Sequence, residues 1–126
     1  MINTQKQIDY WISGADDDII TADLLIREMR ILHGLFFCHL VIEKSLKAHY
    51  VKNIGDVAPR THNLVILSEN AGFEFDEDTQ IFFGILMKYQ LQGRYPDYSP
   101  ALPNQVKVIE YYNKTKALLQ WLKMKL

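Results

Sequence analysis

Two short stretches of this chain hold the side chains most capable of chemistry. The first is Glu43-Lys44-Ser45-Leu46-Lys47. Glu43 precedes Lys47 by four residues, so on a helix the two meet in the favourable order for an ion pair. As a solvated pair they stabilise by only a few tenths of a kcal/mol. Lining a cleft, Lys44 and Lys47 would instead receive a phosphate, with Glu43 orienting Lys47. The second stretch is Gly93-Arg94-Tyr95-Pro96-Asp97-Tyr98. Read as a plain turn, Pro96 presets its own φ and Asp97 accepts from nearby backbone N–H groups. Read as a site, Arg94 offers a planar fork for phosphate or carboxylate. Tyr95 and Tyr98 then offer faces on which a base can stack. The loop is about ten residues long between two long helices, and such loops are more often functional than shorter ones.

Other chemistries lack their residues. Di-metal carboxylate bundles need Glu-x-x-His on paired helices, and that spacing is absent. His39 and Glu43 stand i, i+4, which leaves a metal site two ligands short. No metal and no cofactor are expected, and His39 reads as a packed, hydrogen-bonded core histidine. There is no Gly-x-Ser-x-Gly and no Gly-x-x-x-x-Gly-Lys. Ser45 and Ser68 stand alone with no identifiable base. The single Cys38 cannot bridge internally and reads as a small hydrophobe. Such cysteine usage fits a reducing cytoplasm.

The first stretch lies on the element around which the chain is organised, Leu35 to Tyr50. Its first half is apolar on almost every side, so other elements must surround it. Glu43, Lys44 and Lys47 crowd its second half, which is expected to open onto a cleft or a subunit boundary, since unpaired charges are costly to bury. Ahead of it, Ile8, Ile12, Ala15, Ile19, Ala22, Ile26 and Met29 step 4-3-4-3-4-3, the pattern of a long amphipathic helix. That helix is expected to end near Arg30, and a short turn at Leu32-His33-Gly34 makes it an antiparallel neighbour of the central one.

Beyond Gly55, Thr61 is the expected N-cap of a short helix over about His62 to Asn70. Asp76-Glu77-Asp78 place acid at the start of a fourth helix. Ile81, Phe82, Ile85, Leu86 and Tyr89 give that helix its inner face, and Phe83, Met87 and Leu91 a second apolar side. The helical pattern stops from Gly93 to Pro103. A final helix then runs from Asn104 almost to Leu126. No segment alternates as a strand or repeats. The expected fold is therefore all-α, an up-and-down bundle of four long helices plus one short one, forming a single domain over residues 1–126.

Composition agrees with that fold. At 126 residues, 48% hydrophobic and 23% charged, the chain has the balance of a folded domain. It is long enough to bury a core without a disulfide or metal. A formal net charge of −1 gives no global field that would make nucleic acid the default partner. The polar start, Met1 to Gln5, and the run Asp16-Asp17-Asp18 argue against a signal peptide. No apolar run reaches the roughly 18 residues of a membrane span. The expectation is a cytoplasmic protein with no membrane partner.

Taken together, these residues resemble the HEPN domain family, and within it the small stand-alone prokaryotic members encoded beside minimal nucleotidyltransferases. The resemblance rests on Ala15, Asp18, Ala22 and Leu25 in the first helix, and on Phe36, Glu43, Lys44, Lys47 and Ala48 in the second. It continues through Thr61-His62 and Leu64 to Arg94-Tyr95-Pro96-Asp97. It implies a helical bundle that dimerises side by side with a cleft between subunits. In many members that cleft is an RNase site, signed by Arg, four to six residues, then His. Here Arg94 holds the Arg position, and Tyr95 to Pro100 contain no His. Arg27 and His33 satisfy the spacing but end the first helix, the wrong place.

The resemblance implies binding of a nucleotide or RNA phosphate through Glu43, Lys44, Lys47, Arg94, Tyr95, Asp97 and Tyr98. It also implies a nucleotidyltransferase partner in a toxin–antitoxin-like pair. Two other readings remain open: a non-catalytic helical dimerisation and interaction module, and a metal-independent RNase toxin with a departed motif. The apolar excess on the central and fourth helices predicts a homodimer.

Overall fold

The structure is a computed structural model that describes residues 2–91, 96–97 and 99–126. Five helices follow in order: α1 (Thr4–Arg27), α2 (Ile31–Ile54), α3 (Leu64–Asn70), α4 (Glu77–Met87) and α5 (Gln105–Met124). The described residues contain no strand. None of their helices is long and apolar enough to cross a membrane.

Local chemistry sets most of the helix ends. Asn3, Asn63, Asp76 and Asn104 each cap a start by accepting a backbone N–H three residues on, which satisfies one of the donors a helix N-terminus leaves open. Gly55 closes α2 with φ 78°, a left-handed position glycine takes without a Cβ clash. Met29 does the same work after α1 with φ 61°. The Arg30 N–H bonds Leu25 O at 2.8 Å and the Met29 N–H bonds Ile26 O at 3.1 Å, satisfying the last carbonyls. The apolar stripe of α1 therefore stops at Ile26, because Met29 has left the helix and is 62% exposed.

The helix α2 runs through the middle. It packs against each of the other four, and thirteen of its residues are buried. Most of its apolar surface is thus absorbed within one chain, with Phe36, Phe37 and Leu40 left partly buried. Close approach to α1 depends on Gly34, where an added Cβ would come within 2.7 Å of the Ile26 side chain. The core joins Ala15 and Ala22 of α1 to Leu35, Cys38, Ile42 and Leu46 of α2, with Leu64, Leu67, Phe83, Leu86 and Leu122 closing it. Cys38 lies inside, and burial pushes its thiol up to about 12 against a hydrogen bond from Thr115. It is a packing residue with no thiolate chemistry.

Two expected elements differ. The short helix starts at Leu64, capped by Asn63, and the expected cap Thr61 instead accepts the Asn63 N–H at 3.2 Å. Residues 61–62 stay outside the helix. The fourth helix ends at Met87 and not near Leu91, passing into i→i+3 turns at Lys88, Tyr89 and Gln90. Its inner face is Phe82, Phe83 and Leu86, while Ile81 is 55% exposed. Phe83 belongs inside because it meets Phe75 edge-on at 5.3 Å.

Candidate functional site

The polar half of α2 does not open onto a cleft within the chain. Glu43 is 4% exposed and Lys47 6%. Burying them requires partners, and the fold supplies three. Lys47 Nζ lies 3.1 Å from Glu43 Oε2, and the same ammonium sits 5.1 Å from the ring centroid of Trp11 on α1. The other oxygen, Glu43 Oε1, takes His62 Nδ1 at 2.8 Å. The non-helical Thr61-His62 segment makes that reach, ahead of the late start of α3.

His39 completes the cluster one turn earlier on α2. Its Nε2 lies 2.9 Å from the His62 backbone carbonyl. A carbonyl can only accept, so Nε2 carries the hydrogen. In the neutral ring Nδ1 is then a bare lone pair. It lies 3.7 Å from Glu43 Oε1 with no hydrogen-bond partner. Burial lowers the His39 pKa below 6.5, opposed by the charge of Glu43 and by the hydrogen bond to the His62 carbonyl. The ring is neutral near pH 7, and its orientation holds the His62 backbone where the imidazole meets Glu43.

His62 is the accessible member, with 45% of its side chain exposed. With Nδ1 on a buried carboxylate, the Nε2 edge is left for a ligand. Carboxylate, imidazole and ammonium thus share one centre. Such an arrangement fixes the imidazole and leaves its Nε2 edge facing outward.

Lys44, next in sequence, goes elsewhere. Its stem crosses α1 at Gly14, where an added Cβ would lie 3.1 Å from Lys44 Cδ. Its Nζ ends 2.7 Å from Asp18 Oδ2. The pair borders a depression of about 270 Å³ lined by Tyr10, Ser13, Gly14, Asp17 and Lys44. Of the sequence-expected residues, Glu43 and Lys47 come together and Lys44 takes its own acid. Asp97 lies in an exposed turn with Pro96. Arg94, Tyr95 and Tyr98 lie outside the described residues. His62, His39 and Trp11 were not among the expected site residues. The signal that pointed to them was slight: His39 stands i, i+4 from Glu43, and Thr61-His62 belongs to the family pattern. No group of three or more His, Cys, Asp or Glu among the described residues is placed to hold a metal ion.

Comparison with known proteins gives two positive findings. The HEPN domain family matches residues 8–125. The crystal structure of TT1696 from Thermus thermophilus is similar in fold, with a TM-score of 0.77 at 20% identity, covering 95% of this chain and 98% of that one. No curated protein matches.

Proposed function

The chain belongs to the HEPN domain family, and from that premise we propose that it binds the phosphate of a nucleotide or RNA and partners a nucleotidyltransferase in a toxin–antitoxin-like pair. The observation that carries the binding half is the Glu43 centre, a buried carboxylate joined to Lys47 at 3.1 Å and to the half-exposed His62 at 2.8 Å. His62 meets Glu43 through Nδ1 and turns its Nε2 edge to the phosphate. Arg94 supplies the forked cation, and Tyr95 and Tyr98 the stacking faces. In this reading Lys44 and Asp97 add outer contacts to the ligand. In this reading two copies of the chain pair, through apolar positions left on α2 and α4 such as Ile81. Light scattering at micromolar protein checks this, and a monomer mass would remove the dimer.

The test is binding of a fluorescent nucleotide and of a short single-stranded RNA at low salt, where phosphate contacts are strongest. His62→Ala and Arg94→Ala should each weaken binding about tenfold, the loss of one ligand contact, and Lys47→Gln should weaken it through the orientation of Glu43. Cleavage of the RNA by purified protein, abolished by His62→Ala or Arg94→Ala with folding retained, would replace binding by catalysis.

The interaction-module reading has an observation of its own. Both lysines already have acids, Lys47 with Glu43 and Lys44 with Asp18 at 2.7 Å, so neither needs a phosphate. Absence of any nucleotide or RNA binding at low salt would decide for that reading.

A further inference from the structure

Away from the Glu43 centre, the helices α4 and α5 leave a trough between them. Its deeper part, about 410 Å³, is lined by Asp78, Thr79, Phe82, Lys114, Leu118 and Trp121. A second depression of about 400 Å³ continues it past Thr79, Leu118 and Trp121 to Glu74, Phe75 and Asp76. Neither shares a residue with the Glu43 centre.

The trough has an apolar floor and an acidic edge. Phe82, Leu118 and Trp121 form the floor. Trp121 is 39% exposed and leans on Phe73 and Phe75, with ring centroids 5.7 and 5.8 Å away. That brace holds a large apolar ring at the surface, part of it open to solvent. The edge carries Glu74, Asp76 and Asp78 against the ammonium groups of Lys114 and Lys125. Lys114 is already engaged, 3.5 Å from Glu110 and 5.8 Å from the Phe82 ring centroid. The chain as a whole is almost neutral, so this edge is a local concentration of negative charge. The rings also take cations: Lys125 Nζ lies 5.3 Å from the Trp121 centroid.

We propose that the trough between α4 and α5 docks a basic amphipathic helix of a partner protein, with apolar side chains seated on Phe82, Leu118 and Trp121 and lysine or arginine side chains on Glu74, Asp76 and Asp78. Shape selects a helix over a small molecule. Small-molecule sites enclose their ligand and fix it with convergent polar groups. This trough is open, and Lys114, Leu118 and Trp121 line it at helical spacing, about two turns along α5. Apolar anchors laid along a groove between two helices are the helix-in-groove mode of recognition. Charge selects the sign of the flank, because three carboxylates repel an acidic partner and attract a basic one.

The probe is a synthetic helical peptide of about 14 residues, roughly four turns, with leucines on one face and lysines beside them. A second peptide carries glutamates in place of the lysines. Binding is followed by amide chemical shifts of the labelled full chain. The lysine peptide should shift residues of α4 and α5 around the trough, and the glutamate peptide should not bind. Ala117→Lys, at an exposed position of the trough, should weaken the lysine peptide about tenfold while circular dichroism stays unchanged. Glu74→Lys should do the same through the edge alone, and does not depend on the floor. Equal binding of the two peptides, shifts centred away from the trough, or no shift at millimolar peptide would each overturn the proposal. So would a fall in the mass of the protein in solution on Ala117→Lys, which would make a second copy of this chain the occupant.

Discussion

Glu43 and Lys44 are neighbours on one helix, yet they live in different physical regimes. Glu43 is sealed in, with 5% of its side chain exposed, and it serves Lys47 and His62 at once. Lys44 keeps 26% of its side chain exposed and pairs with Asp18, itself 11% exposed. Both are ion pairs by distance. The difference is what happens when one partner is removed. A buried charge left alone cannot find water, while a half-exposed one can. Burial, and not the number of contacts, sorts the polar residues of α2 into those that hold the fold and those that decorate it.

The largest effect expected from that contrast is at Glu43. Glu43→Ala strands the Lys47 ammonium beneath Trp11 and frees His62, and should cost about 3–5 kcal/mol in urea unfolding. The double change Glu43→Leu with Lys47→Met removes both charges and should recover much of the loss, since a buried pair contributes little over apolar side chains of similar size. A loss below about 1 kcal/mol for Glu43→Ala, the range of an exposed pair, would erase the contrast with Lys44.

Acid is the next lever. Burial lowers the pKa of His39, and the same cause lowers that of His49, opposed by the hydrogen bond to the Leu122 carbonyl at 2.7 Å. The unfolded value is 6.5. Above it both rings are neutral in both states, and their contribution to stability is fully present. As pH falls through that value the unfolded chain takes up protons that the folded chain resists, so stability falls until the lowered folded values are passed. The melting temperature should therefore drop between about pH 7 and pH 5. His39→Gln, whose amide can still donate to the His62 carbonyl, should flatten part of that slope. A slope unchanged by His39→Gln would place the titrating group elsewhere.

The outline of this division was legible in the sequence, and its partners were not. The stepping of Ile8 to Ile26 gave α1, and Asp76 and Asn104 marked where α4 and α5 begin, because periodicity and capping are local effects. The apolar girth of Leu35 to Val41 showed that α2 is central. The meeting of Glu43 with His62 spans nineteen residues and goes with Thr61-His62 staying out of the helix. Propensity alone favours drawing those polar residues into the helix as its cap, which is how Thr61 misled. Within one chain Glu43 and Lys47 edge no cleft for a related reason. Trp11 on α1 covers Lys47, and no pattern within α2 reveals a neighbour's ring. The apolar residues Met87 and Leu91 extended α4 on paper, and the chain instead leaves the helix at Lys88 through i→i+3 turns.

A smaller effect belongs to Lys44. Lys44→Ala and Asp18→Asn should each cost no more than about 1 kcal/mol, and their double-mutant cycle should give a coupling of a few tenths to about 1 kcal/mol that shrinks in salt. Gly14 sharpens the point. Gly14→Ala places a methyl group 3.1 Å from Lys44 Cδ, and the flexible stem can yield. The substitution should lie near neutral, because the added helix propensity of alanine offsets a weakened, partly buried pair. A salt-insensitive coupling above about 2 kcal/mol would put Lys44 in the same class as Glu43.

The smallest effect, none, is expected from removing metal, although the Glu43 centre looks at first like a place for one. Two imidazole nitrogens and a carboxylate oxygen converge there, and His39 donates its other ring hydrogen to a carbonyl, as metal-binding histidines do. The charges argue the other way. Glu43 Oε2 already neutralises Lys47 at 3.1 Å, and Oε1 lies 2.8 Å from His62 Nδ1. A divalent ion would have to displace that imidazole hydrogen and sit beside an ammonium with no second carboxylate to compensate. A chelator should therefore leave the melting temperature where it was. A clear fall, restored by zinc or another divalent ion, would show that Lys47 swings away and that the buried centre of α2 is a metal site after all.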